Sequence, residues 1–189
     1  MSYYSEEAIQ QMNSELLMLQ SKYSTLSIKT FAFSFQLSGE RAREFLLQGV
    51  NRRLRILFRC VRSIFRLFPP DKVDLLDDDA RVDVQINLHA FLINVYGLTE
   101  NLALAIAYEN DLVGEKGDGK LDIRKVNLFR REFRKLLHPN LRSYLQDRKI
   151  VSWYNEYAKN YRDALAHRVP PYVPPSSLDE MERKQSEDI

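Results

Sequence analysis

Residues 47–68, LQGVNRRLRILFRCVRSIFRLF, carry the strongest periodic pattern in the chain. Apolar side chains recur at alternating steps of three and four residues, which is the spacing of one face of an α-helix. This stripe consists of Leu47, Val50, Leu54, Leu57, Val61, Ile64 and Phe68, and is widened by Phe58 and Phe65. Ser38 is a good helix N-cap and Pro69-Pro70 ends a helix, so the pattern predicts one long helix over residues 38–68.

Arginines follow the same rhythm on roughly the opposite face of this helix. They are Arg52, Arg55, Arg59, Arg62 and Arg66, and no acidic residue lies between residues 51 and 68. A line of guanidinium groups attracts polyanions, which makes nucleic acid a candidate partner. The alternative is that this basic block pairs across a helical bundle with acidic blocks, such as the aspartates between Asp71 and Asp83.

A second long helix is predicted from about Val82 to Glu109. Its apolar stripe consists of Leu88, Phe91, Val95, Leu98, Leu102 and Ile106. Three asparagines, Asn87, Asn94 and Asn101, lie beside this stripe at intervals of seven residues. Buried amides need hydrogen-bond partners. Either they satisfy neighbouring backbone or set the helix register, or Asn94 and Asn101 form a polar floor under a ligand site.

The remaining segments predict shorter elements around these two helices. A helical stripe spans residues 6–23, whereas the near-alternation over residues 26–37 favours an extended segment, the alternative being that this run joins the next helix. Further helices are predicted over residues 123–137, 141–146 and 150–167. We therefore expect an all-α fold, a helical bundle built on two long antiparallel helices plus shorter C-terminal helices.

Three regions are expected along the chain. Residues 1–37 form an N-terminal helix and connecting segment, residues 38–175 form the bundle, and residues 176–189 form a polar tail whose composition predicts disorder. With 189 residues, of which 44% are apolar, the chain is long enough for one domain with a substantial core.

Composition also excludes several classes of protein. The single cysteine, Cys60, excludes an internal disulfide framework. The N-terminus lacks a signal-peptide pattern, and polar residues interrupt the most apolar segment, so we expect a cytoplasmic protein that does not cross a membrane. Neither a Cys/His cluster nor a paired-carboxylate motif is present, and we expect no metal or other cofactor.

The hexapeptide Arg162-Asp163-Ala164-Leu165-Ala166-His167 ends the last predicted helix. A permanent cation and a side chain that titrates near neutrality suit binding and cleavage of a phosphodiester. On a straight helix, Arg162 and His167 lie about 140° apart, so their convergence needs a loosened final turn or a partner chain. Asp163 shares a face with His167 and could orient its imidazole. The alternative is a surface salt bridge plus a histidine that interacts with the helix dipole.

This hexapeptide, at the end of an all-α chain, resembles the motif of the HEPN superfamily (higher eukaryote and prokaryote nucleotide-binding domains). That motif is Arg, four to six residues, then His, often with a polar residue after the Arg. Residues 157–175 and 86–101 are also similar to uncharacterised bacterial members. A second such spacing, Arg131 to His138, lies in mid-chain before a proline and is interpreted as coincidental.

The resemblance implies a helical bundle, often a homodimer in which the motif residues of two protomers face each other. Many such proteins are metal-independent endoribonucleases, frequently toxins or antiviral effectors, while others have lost catalysis. We therefore expect RNA cleavage by attack of a ribose 2′-hydroxyl, with Arg162, Asp163 and His167 as catalytic residues and a possible antitoxin or regulatory protein as partner. RNA would be held by Arg52, Arg55, Arg59, Arg62, Arg66 and Arg168. The alternative is a non-catalytic helical module that binds nucleotide, RNA or another protein.

Overall fold

The computed structural model describes residues 4–114 and 120–174, so the predicted tail over residues 176–189 lies outside the described residues. Within these two ranges no strand forms, and a single isolated bridge joins Val113 to Leu121. The prediction of an all-α fold is confirmed. The helical elements are α1 (Glu6–Ser34), α2 (Glu40–Glu44), a π-helical segment (Phe45–Asn51), α3 (Arg52–Leu67), α4 (Asp78–Glu109), a 3₁₀ turn (Ile123–Lys125), α5 (Arg131–Arg134), α6 (Pro139–Tyr144), α7 (Arg148–Trp153), a second π-helical segment (Tyr154–Lys159) and α8 (Asn160–His167).

The two predicted long helices are present and antiparallel. The start of the first contacts the end of the second, because Gly39 N–H donates to the Glu109 carboxylate at 3.0 Å. Near their middles, Arg53 Nη1 donates to Asn94 Oδ1 at 2.8 Å. The first helix begins one residue later than its predicted cap, since Gly39 occupies the N-cap position. The Ser38 hydroxyl instead donates to Glu109 at 2.9 Å.

The predicted extended conformation of residues 26–37 is wrong, because α1 continues to Ser34. Packing against the first long helix supports these extra turns: Tyr23 stacks on Phe58 of α3 with ring centroids 4.5 Å apart, and Ser27 Oγ donates at 2.7 Å to Oδ1 of Asn51, the last residue of the first π-helical segment. Tertiary contacts of this kind stabilise a helix beyond what its local pattern predicts. The alternating apolar residues Phe31, Phe33 and Phe35 are exposed, so their alternation does not mark a buried strand face.

The predicted helix over residues 123–137 is also wrong. A 3₁₀ turn and the short helix α5 occupy this segment. Side chains redirect the backbone here: Asp122 accepts from the Arg124 N–H at 2.9 Å, and Asn127 Oδ1 accepts from the Phe129 N–H at 2.9 Å. Such local side-chain acceptors compete with helix formation. The predicted helix at 150–167 is present as α7, the second π-helical segment and α8, and it begins two residues early, at Arg148.

Small residues let α4 occupy the centre of the molecule. Ala103 and Ala107 pack on one side, against the segment that follows α4, in a cluster with Val126, Leu128, Phe133, Leu137 and Leu145. Ala105 packs on the other side in a cluster with Leu37, Ala42, Leu46 and Val50. Helix α4 is therefore buried on opposite faces along its C-terminal half.

Burial on two faces accounts for the apolar character of α4. By length and composition alone, this helix is long and apolar enough to cross a membrane. The core helix of a folded domain meets the same criterion, because both of its sides contact other elements. The criterion therefore does not by itself place α4 in a membrane.

Candidate functional site

Arg162 is held in a fixed orientation between α8 and α4. Its Nη2 donates to the Tyr96 hydroxyl at 3.0 Å, and its guanidinium lies 4.3 Å from the centroid of the same ring. Its Nη1 pairs with Asp163 Oδ1 at 3.0 Å, and 31% of the side chain is exposed. Nε is buried and has no hydrogen-bond partner in the described part of the chain. The guanidinium is thus clamped by an aromatic ring and a carboxylate.

The electrostatics of this clamp keep Arg162 charged. Desolvation acts to lower the pKa of the guanidinium, but the hydrogen bond with Tyr96 and the nearby Asp163 and Glu100 outweigh it, so the pKa lies above its ordinary value. Asp163 is paired with Arg162, and among the described residues it forms no hydrogen bond or ion pair with His167. The ion pair with Arg162 fits the salt-bridge alternative for Asp163 and not orientation of the His167 imidazole.

His167 is the last residue of α8 and is exposed to solvent. The Arg168 N–H donates to the Ala164 carbonyl at 3.0 Å, so the helix is regular to its end and its final turn is not loosened. Within the described residues no hydrogen bond or ion pair joins His167 to Arg162. One chain alone therefore leaves the two side chains apart, about 140° around the helix.

The predicted arginine face lies on the surface. The side chains of Arg52, Arg55, Arg59, Arg62 and Arg66 are all exposed, as is that of Arg168. Three of them, Arg59, Arg62 and Arg66, line a groove of about 330 Å³ beside α1. Within residues 4–114 and 120–174, no ion pair joins any of these five exposed arginines of α3 to an acidic residue, so the structure does not support their pairing across the bundle.

The asparagines of α4 serve helix packing. Asn94 is buried, donates to the Ala90 carbonyl at 2.7 Å and accepts from Arg53. Asn101 lies directly against Gly49, where an added Cβ would be 2.7 Å from Asn101 Nδ2. These contacts favour the structural interpretation of the amides over a polar floor.

A cleft beside the Arg162 clamp was not predicted from the sequence. It has a volume of about 340 Å³ and lies between α4, residues 124–130 and the second π-helical segment. Tyr96 and Glu100 line this cleft and also interact with Arg162, which makes the two sites neighbours. Its basic residues come from separate segments, Arg124 and Arg130 before α5 and Lys159 before α8, so no local motif marks them.

The other two histidines have structural contacts. His89 Nε2 lies 2.6 Å from the Pro171 carbonyl oxygen, which fixes the chain after α8 against α4. His138 caps α6, since its Nδ1 accepts from the Asn140 N–H at 3.3 Å. No group of three or more His, Cys, Asp or Glu side chains in the described ranges could hold a metal ion.

Comparison of the chain with models of protein families, with curated proteins and with solved structures gives no match.

Proposed function

We propose that this protein is a metal-independent endoribonuclease of HEPN type, in which Arg162 binds the scissile phosphate and His167 transfers a proton. The observation that carries this proposal is the clamped guanidinium of Arg162, with an exposed histidine at the end of the same helix. A guanidinium fixed in orientation costs little reorganisation when negative charge develops on a phosphate. An exposed imidazole remains free to reach a substrate or a second copy of the chain.

The proposed reaction is an internal transesterification. The 2′-oxygen of a ribose attacks the adjacent phosphorus while a general base takes the 2′-hydroxyl proton. The bond from phosphorus to the 5′-oxygen of the next nucleotide breaks, and a general acid gives that oxygen a proton. The products are a 2′,3′-cyclic phosphate and a 5′-hydroxyl. His167 serves as the base or the acid, and Arg162 stabilises the anionic five-coordinate phosphorus.

A second copy of the chain is part of the proposal. Because α8 is regular to its end, His167 of one protomer does not meet Arg162 of the same protomer. A two-fold axis near α8 would bring each arginine to the other protomer's histidine and form two equivalent sites. We infer that the working enzyme is a homodimer with composite sites.

The test is cleavage of RNA in EDTA by Arg162→Ala and His167→Ala. Each variant should lose at least about 100-fold in rate, the usual contribution of one positioned charge or proton-transfer group. A matched control uses the second Arg–His spacing: Arg131→Ala combined with His138→Asn, since Asn keeps the capping acceptor of α6. The control should cleave at the wild-type rate and release cyclic phosphate ends. Undiminished cleavage by both Arg162→Ala and His167→Ala would refute the proposal.

The wider role that we propose is a cytoplasmic toxin or defence effector, held in check by an antitoxin or regulatory protein. Growth inhibition on expression should require His167, because inhibition would come from RNA cleavage. Equal inhibition by the wild-type protein and His167→Ala would contradict this role while leaving the cleavage assay to test the chemistry.

A second candidate function is a non-catalytic module that binds RNA or nucleotide. It is favoured by the same clamp, since both terminal nitrogens of Arg162 already have protein partners. The exposed arginines of α3 would then carry binding, with an affinity that falls as salt rises. RNA binding without any cleavage in EDTA would select this candidate.

A further inference from the structure

The cleft beside Arg162 combines an aromatic floor with a basic rim. Tyr96, Phe129 and Tyr154 form the floor, and Arg124, Arg130 and Lys159 lie at the rim. Its volume of about 340 Å³ falls at the lower end of the range of about 300–1,000 Å³ that is typical of small-ligand sites. A ligand of the size of one nucleotide suits such a space.

The floor is rigid because its aromatic rings stack on one another. Phe129 stacks on Tyr154 with centroids 3.7 Å apart and planes 13° apart. The Tyr154 hydroxyl accepts from Asn127 Nδ2 at 3.1 Å. Burial raises the pKa of this hydroxyl well above its ordinary value, so Tyr154 is neutral at physiological pH. Ring stacking and this hydrogen bond therefore hold the floor in one arrangement.

Some cationic side chains at the rim have hydrogen-bond donors that no described protein group accepts. Asp122 occupies Nε and Nη2 of Arg124, whereas Arg130 uses only Nη1, in a bond to the Arg124 carbonyl. Within the described residues Lys159 has no hydrogen-bond or ion-pair partner. Glu100 is the one acidic side chain among the described residues of the lining. Arg130 and Lys159 are thus the groups available to an anion.

Lys159 is the last residue of the second π-helical segment and lines the cleft. In an α-helix, residues 154 and 159 would lie about 140° apart. Here the Asn160 N–H donates to the Asn155 carbonyl, an i to i+5 bond, and this wider turn reduces the angle between residues 154 and 159, both of which line the cleft. Insertions of this kind occur often at functional sites. The backbone irregularity and the cationic rim coincide.

We propose that this cleft binds the phosphate of a single nucleotide unit, through Arg130 and Lys159. Guanidinium and ammonium donors are the usual protein partners of phosphate. This assignment rests on the proposed function in one respect: the cleft would hold the nucleotide next to the scissile phosphate, because Tyr96 and Glu100 line the cleft and also interact with Arg162. Binding itself requires no cleavage and can be measured separately.

The experiment uses the full chain at low ionic strength, where charge contacts are least screened. Calorimetric titrations compare nucleoside monophosphates, nucleosides without phosphate, inorganic phosphate and a 2′-O-methyl RNA oligomer, which lacks the attacking hydroxyl. The double variant Arg130→Gln/Lys159→Gln removes the two available rim cations, both of which are exposed. The matched control, Arg148→Gln/Lys149→Gln, removes the same two charges from exposed positions on α7.

We expect nucleoside monophosphates to bind more tightly than nucleosides, and the rim variant to weaken that binding about tenfold while the control leaves it unchanged. If only the oligomer binds and the rim variant still weakens it about tenfold, the phosphate comes from a strand and not from a free nucleotide. The inference would be overturned if the rim and control variants had equal effects, or if nucleosides bound as tightly as nucleoside monophosphates. It would also be overturned if neither nucleoside monophosphates nor the oligomer showed phosphate-dependent binding. A wild-type protein that binds but does not cleave would overturn the proposed enzyme and leave this site intact.

Discussion

Replacing Tyr96 with Phe removes one oxygen atom, the acceptor for Arg162 Nη2 at 3.0 Å. The ring under the guanidinium, 4.3 Å away, is retained, so most of the cation–π attraction remains. A hydrogen bond that involves a charged group contributes about 1.5–3 kcal/mol when well shielded. Because 31% of the Arg162 side chain is exposed, water replaces part of this contribution, and we expect Tyr96→Phe to lower the free energy of unfolding by about 1–2 kcal/mol.

The chain contains its own control for this substitution. Arg41 Nη1 donates to the Tyr108 hydroxyl at 3.0 Å in an exposed setting, with the guanidinium 5.2 Å from the ring centroid. Water can replace this bond fully, so Tyr108→Phe should cost less than about 0.5 kcal/mol. Urea unfolding of the two variants measures both values. Equal losses, or no loss in Tyr96→Phe, would refute the interpretation that Tyr96 positions Arg162 through a shielded bond.

Two further substitutions test the packing and electrostatics of the long helices. Gly97→Ala should lower the free energy of unfolding by about 1–3 kcal/mol, because the new Cβ would lie 2.5 Å from Arg53 Cζ and displace a guanidinium that is bonded to buried Asn94. Chemical denaturation measures this loss. The milder control is Gly39→Ala, whose Cβ would meet no atom closer than 3.3 Å. Glu109→Gln should destabilise the protein at neutral pH, because backbone hydrogen bonds from Ser38 and Gly39 hold the pKa of this carboxyl below its ordinary value in the folded state. Stability from a lowered carboxyl pKa is complete above the unfolded-state pKa and is lost as pH falls through the folded-state pKa. The difference between wild type and variant should therefore shrink in acid, and a difference that stays constant down to pH about 2 would contradict this linkage.

Local pattern was sufficient to predict the two long helices. The three–four spacing of apolar residues and the exposed arginines from Arg52 to Arg66 follow from helix periodicity alone, and both are found in the structure. The extension of α1 to Ser34 depends on contacts with α3 and with the π-helical segment before it. The loss of helix after Asp122 depends on side-chain acceptors that compete with the backbone. Both differences depend on tertiary contacts, so the spacing of apolar residues could not predict them.

The candidate site, too, could be predicted only in part from the sequence. The sequence singles out Arg162, Asp163 and His167 because they lie in one hexapeptide. The partner that clamps Arg162 is Tyr96, which is distant in sequence and has no motif of its own. Lys159 lines the cleft from a π-helical segment, and no residue type in that segment predicts such a turn. Residues outside the hexapeptide, Tyr96 and Lys159, thus belong to the site although no motif marks them.

The most direct test of the composite site is to mix two inactive variants. Arg162→Ala keeps His167, and His167→Ala keeps Arg162, so a mixed dimer regains one complete site only if the two residues act across the dimer. An equal mixture, refolded or co-expressed, should recover roughly a quarter of wild-type RNA cleavage, since half of the dimers are mixed and each has one complete site. A mixture no more active than its separate components would contradict the claim that Arg162 and His167 from two copies act on one phosphate.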